Sequence, residues 1–131
     1  MVLPFTDRRE AGRELARLLA RYRAERPVIL AVPRGGVIVG EEVARALQAP
    51  LDVIVARKIG APAQPELAIG AVVGGEPPLR LINRELVELL GVSDDYLERE
   101  ARRQEEEIRR RLERFRGRRP PLELRGRTVI L

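Results

Sequence analysis

Two short segments of this 131-residue chain carry residue types that can hold an anion. The first, Pro33-Arg34-Gly35-Gly36-Val37-Ile38-Val39-Gly40, lies where a buried strand gives way to a helix. Glycines at such a junction let backbone N–H groups approach a phosphate, and the start of the helix favours negative charge. The segment lacks the G-x-G-x-x-G spacing of a dinucleotide fingerprint and the Lys-Ser/Thr pair of a Walker loop. A tight strand-to-helix turn that merely needs glycine would look the same. The second segment, Ala56-Arg57-Lys58-Ile59-Gly60, follows the next strand directly and holds the only lysine of the chain. Ligands of open α/β sheets bind beyond the carboxyl ends of the strands, where these bases are expected. A solvated pair of bases at a strand end is the plain alternative. Two neighbouring strand ends that each offer a base and glycine favour a shared anion site.

The rest of the inventory narrows the chemistry. There is no Cys, no His and no Trp, one Ser (Ser93), and two Thr (Thr6 and Thr128). A thiol nucleophile, a His base, a Ser-His-Asp triad, and zinc held by imidazole or thiolate are therefore excluded within these residues. Arginine, one lysine, carboxylates and backbone amides remain, a set suited to binding phosphates or nucleic acid. The net charge of +5 is unevenly placed. Residues 1–98 hold 13 basic and 14 acidic side chains, whereas residues 99–131 hold 12 Arg and six Glu.

The elements that must position these groups follow from periodicity. Asp7 and Glu10 suggest a capping box, with Phe5 as a staple, before an amphipathic helix over 8–23. Val28 to Val32 reads as a buried strand, Val37 to Gln48 as a helix, and Leu51 to Ala56 as a second buried strand. That is a βαβ unit. Residues 67–73 and 79–82 read as a hairpin around Gly74-Gly75. Asn83 caps a short helix, 84–90, that stops at Gly91. Ser93 or Asp95 opens the longest helix, with Leu97, Ala101, Gln104, Ile108, Leu112 and Phe115 on one stripe. Thr128 to Leu131 opens a third buried strand. The Arg and Glu residues of the long helix fall at pairing distances, and Phe115 lies on the apolar stripe, so no base-stacking platform is visible. A solvated, salt-bridged face is the better reading of that segment. No apolar run reaches the ~18–20 residues of a membrane span, and the N-terminus shows no signal-peptide core, so a cytoplasmic location is expected.

The run PVILAVPRGGVIVGEEVARALQAPLDVIVARKIGAPAQPELAIGAV resembles the N-terminal half of the predicted type I phosphoribosyltransferases of bacteria, as do FTDRREAGRELARLL and DDYLEREARRQ. The likeness runs from Phe5 to Leu131. It implies an α/β fold, here an incomplete doubly wound parallel sheet with a hairpin and long helix inserted before the third core strand. The expected division is one domain, with a core of 27–60 and 126–131 and a flexible, hood-like insertion of 61–125. The resemblance further implies transfer of ribose 5-phosphate between phosphoribosyl pyrophosphate and an acceptor, with Mg2+ carried by the pyrophosphate. Arg57, Lys58, Ile59 and Gly60 would be the pyrophosphate-binding loop, and Arg34, Gly35 and Gly36 would border the same cleft. Residues 61–75 would belong to a mobile cover. A leaving pyrophosphate calls for fixed positive charge and N–H donors rather than a nucleophile.

One departure accompanies these matches. The family's ribose-phosphate motif is an apolar strand, two adjacent carboxylates, and a Gly- and Thr-containing loop. Thr128-Val129-Ile130-Leu131 matches the start of that strand, and the sequence ends there. Asp94-Asp95 precedes a helix and Glu41-Glu42 lies within one, so neither pair substitutes. The expectation is a truncated chain with a pyrophosphate half-site, inactive by itself, whose uncovered parallel strands would favour a homodimer. The competing expectation is a nucleic-acid-binding regulator on the same fold, using Arg116, Arg118 and Arg119. The acceptor is not readable.

Overall fold

The computed structural model describes residues 4–131. Its elements in chain order are α1 (Arg8–Leu19), which runs on into a 3-10 turn (Ala20–Glu25), β1 (Val28–Ala31), α2 (Gly35–Leu47), β2 (Leu51–Val53), β3 (Ala56–Gly60), β4 (Ala68–Val73), β5 (Leu79–Ile82), α3 (Arg84–Leu90), α4 (Asp94–Arg116) and β6 (Val129–Ile130). They form two compact units. The first comprises Met1–Ile54 with Arg118–Leu131, the second Val55–Gly117.

In the first unit a parallel sheet runs β2-β1-β6, with Ile29 opposite both Leu51 and Ile130. The apolar β1 run is buried at Val28, Ile29 and Ala31, as a central parallel strand requires. Ala16 of α1 and Val43, Ala44 and Leu47 of α2 pack with Ile29. The two helices approach so closely that a Cβ on Gly12 would lie 2.8 Å from the Glu42 Cβ and 2.9 Å from the Val39 carbonyl oxygen. Only glycine fits there. The Asp7 side chain caps α1 by accepting the Glu10 N–H at 2.8 Å. The Glu10 carboxylate reaches back to Thr6 instead of Asp7, and those hydrogen bonds hold its pKa below the usual carboxylate range. After the second unit the chain is guided back by Asp52, whose Oδ2 accepts the Leu122 N–H at 3.1 Å. The expected third strand is present as β6, parallel to β1, but it is not buried: as an edge strand it leaves Val129 exposed and Ile130 half-buried.

The second unit is an antiparallel meander, β3-β4-β5, with α4 packed along it. Here the structure corrects the sequence reading. The second parallel strand ends at Val53 rather than Ala56, and residues 57–60 are not a loop but belong to strand β3, with Arg57 opposite Val72 and Ile59 opposite Gly70. The reason is the flanking apolar pattern. Val55 and Ile59 are buried in a core with Ile69, Val72, Val87, Leu97, Ala101 and Ile108, which is not the core of the parallel sheet. The expected hairpin is β4–β5, and it acquires β3 as a third strand. Asn83 and Ser93 cap α3 and α4, accepting the Leu86 and Tyr96 N–H groups at 3.1 Å each. Gly91 ends α3 at φ +65°, in the left-handed region that glycine enters without strain. No helix among the described residues is long and apolar enough to cross a membrane.

Candidate anion-binding site

The helix α2 begins at Gly35, two residues earlier than its periodicity suggested, so Gly35 and Gly36 form its first turn and Arg34 its N-cap. The first N–H groups of a helix have no partner within it and sit at the positive end of its dipole. In α1, α3 and α4 a side-chain oxygen from Asp7, Asn83 or Ser93 accepts one of them, whereas α2 has no such cap. An arginine occupies that position. The Arg34 carbonyl accepts the Val37 N–H at 3.1 Å, while its guanidinium makes no hydrogen bond or ion pair among the described residues. Packing supplies a second cation, because a Cβ on Gly35 would run into the Arg8 guanidinium, whose Cζ would lie 3.0 Å away. Arg8 opens α1, and sequence reasoning missed it, since nothing local links residue 8 to residue 35. The close α1–α2 crossing at Gly12 brings it there. Glycine amides, a helix dipole and two arginines without carboxylate partners among the described residues can hold a phosphate-like anion without covalent chemistry.

The second predicted segment fares differently. Strand alternation sends the Arg57 and Lys58 side chains apart. Arg57 Nε donates to Gln104 Oε1 of α4 at 2.9 Å, while Lys58 Nζ donates to Glu66 Oε2 at 2.9 Å. Both still line one cavity of about 460 Å³, together with Gly60, Tyr96, Glu100 and Arg103. Ile59 is fully buried, so its side chain belongs to the core. Gly60 answers to packing. A Cβ there would meet the Pro65 backbone, with Cα and C at 2.9 Å, and its carbonyl accepts the Tyr96 hydroxyl at 2.6 Å. Burial raises the Tyr96 pKa above the ordinary phenol value. Residues 61–67, expected as part of a mobile cover, are closed by Ala61 N–H to Leu67 O at 2.9 Å and Leu67 N–H to Gln64 O at 2.9 Å. Arg34, Gly35 and Gly36 thus belong to the first unit, and Arg57, Lys58, Ile59 and Gly60 to the second.

The arginines of α4 are mostly engaged. Arg102 bonds Glu98 at 2.7 Å, Arg103 approaches Glu100 at 3.2 Å, Arg109 holds Glu106 and Glu113, and Arg110 and Arg111 both reach Glu107 at 3.3 Å. This is the solvated, salt-bridged face that the spacing implied.

Comparison with known proteins agrees in kind. Residues 5–131 match the family described as "Phosphoribosyl transferase domain". Two Mycobacterium tuberculosis proteins, "Putative phosphoribosyl transferase MT0597" of strain CDC 1551 / Oshkosh and "Putative phosphoribosyl transferase Rv0571c" of strain ATCC 25618 / H37Rv, are each 46% identical over 127 residues. The match covers 97% of this chain and 28% of each of theirs, so the chain spans less than a third of these curated relatives. The crystal structure of TT1426 from Thermus thermophilus superposes with a TM-score of 0.77 at 46% identity, covering 97% of this chain and 59% of that one.

Proposed function

The chain belongs to the phosphoribosyl transferase domain family, and on that footing we propose that it provides the pyrophosphate side of a phosphoribosyl transfer. In that reaction ribose 5-phosphate passes between phosphoribosyl pyrophosphate and an acceptor. The bond from the anomeric carbon to the pyrophosphate oxygen breaks, and the leaving group departs as magnesium pyrophosphate. The observation that carries this reading is the uncapped, glycine-opened start of α2 between Arg34 and Arg8. Negative charge growing on the leaving oxygens is stabilised by donors already in place, which need no rearrangement as the bond breaks. Magnesium enters with the pyrophosphate as part of the substrate. Arg57 and Lys58 line a cavity within the second unit and are proposed as cations that meet pyrophosphate independently of α2.

By this reading the chain binds magnesium pyrophosphate. Titration calorimetry tests it. Arg34→Ala should weaken pyrophosphate binding by about tenfold or more, the usual worth of one charge-assisted contact. Unchanged affinity would overturn the assignment. The nucleic-acid alternative has less support, because the α4 arginines named above are already paired with glutamates. Strong, salt-sensitive RNA or DNA binding lost on neutralising Arg116, Arg118 and Arg119 together would restore it.

A further inference from the structure

Gln104 is an anomaly on its own helix. It sits on the α4 stripe with Leu97, Ala101 and Ile108, all buried, and is itself only 6% exposed. An apolar side chain would pack on that stripe without the penalty of burying an amide. The amide is instead bonded at both ends. Its Nε2 donates to Glu100 Oε1 at 2.9 Å, and its Oε1 accepts from Arg57 Nε at 2.9 Å. Because Glu100 can only accept, it fixes which way the amide faces, and the carbonyl oxygen must then turn to Arg57. Arg103 approaches the same Glu100 oxygen at 3.2 Å and holds the carboxylate in turn. The other carboxylate that interacts with Arg57, Glu107, is engaged by Arg110 and Arg111.

Gln104 takes up the Nε edge of the Arg57 guanidinium. Among the described residues the two terminal nitrogens make no hydrogen bond or ion pair, and Arg57 lines the 460 Å³ cavity. We propose that Gln104 is a positioning residue, which grips Arg57 by Nε and presents its two terminal nitrogens to the pyrophosphate. This rests on the reading of Arg57 as a pyrophosphate contact. A neutral partner suits the task better than a carboxylate would. It orients the guanidinium yet leaves its positive charge unspent for the anion.

The experiment is a double-mutant cycle of Arg57→Ala and Gln104→Leu, read by magnesium pyrophosphate titration and by thermal unfolding. Gln104→Leu should fold at least as stably as the parent, since leucine continues the apolar stripe, yet bind pyrophosphate about fivefold to tenfold more weakly through lost preorganisation. In the Arg57→Ala background the same change should have no further effect on binding. Gln104→Met, unbranched and of similar length, serves if the leucine variant does not fold. Parental affinity in Gln104→Leu, with Arg57→Ala impaired, overturns the positioning role alone. So does a loss that adds to that of Arg57→Ala. Parental affinity in Arg57→Ala overturns the reading of Arg57 itself, and the role of Gln104 falls with it.

Discussion

Arg34-Gly35-Gly36 and Arg57-Lys58-Ile59-Gly60 are both short runs of base and glycine after an apolar strand, yet they become different objects. The first opens a helix. Its Gly35 faces a neighbouring guanidinium, no side chain caps its amides, and the Arg34 side chain has no carboxylate partner among the described residues. The second is a strand whose members are mostly engaged by their own unit. Arg57 is held by Gln104 and Lys58 by Glu66, Ile59 is buried, and Gly60 is pressed against Pro65. The contrast teaches that glycine beside a cation marks an anion site only when the amides it exposes are left unsatisfied. Where the same glycine is demanded by close packing, the anion reading has to rest on the cations alone.

Substituting the two glycines is the strongest way to break this comparison. Gly60→Ala should destabilise the second unit by about 1–3 kcal/mol, because its Cβ meets Pro65 backbone that cannot swing aside. Gly35→Ala meets only the flexible Arg8 side chain, so its denaturant midpoint should stay near the parent's while pyrophosphate affinity falls. Equal losses of stability in both variants would erase the distinction. Next in size, Arg8→Ala should weaken pyrophosphate binding by about tenfold, the scale of one charge-assisted contact. The same substitution at Arg109, already paired with Glu106 and Glu113, should leave binding unchanged.

Acid should separate the two kinds of cation further. Hydrogen bonds from Arg80 and Arg102 lower the Glu98 pKa, and Arg109 and Arg111 do the same for Glu106 and Glu107. A carboxyl whose folded pKa lies below its unfolded value stabilises the fold above that unfolded value. The contribution is lost as the pH falls through the folded pKa. The second unit should therefore lose stability as the pH drops below about 4.5, the ordinary carboxylate value for these groups, and high salt should blunt the loss. A melting temperature flat from pH 6 to about pH 3 would count against this pairing. The smallest effect concerns the caps. Ser93→Ala should cost about 1 kcal/mol by removing the acceptor for the Tyr96 N–H, a bond with no counterpart at Arg34.

Much of the architecture was legible because its signals are local. Asn83 and Gly91 bracket α3, Ser93 opens α4, and Leu97, Ala101 and Ile108 mark its buried face, all within a few turns of the residues they organise. The hairpin and the third parallel strand were readable for the same reason. Strand β3 was not. Arg57 looks like a loop residue until a glutamine 47 positions later satisfies it, and the pairing of Arg57 with Val72 depends on a strand not yet formed. Arg8 at the start of α2 was equally hidden.

The sequence by itself determined the chemical repertoire, arginine, one lysine, carboxylates and glycine amides with no thiol or imidazole, along with the family and the helices that bear their own caps. Tertiary structure decided which of those cations are spent and which are left over. A guanidinium's partner is set by what packing brings within about 3 Å of it, and for Arg8, Arg34 and Arg57 the deciding neighbours, or their absence, lie outside the local pattern that a sequence displays.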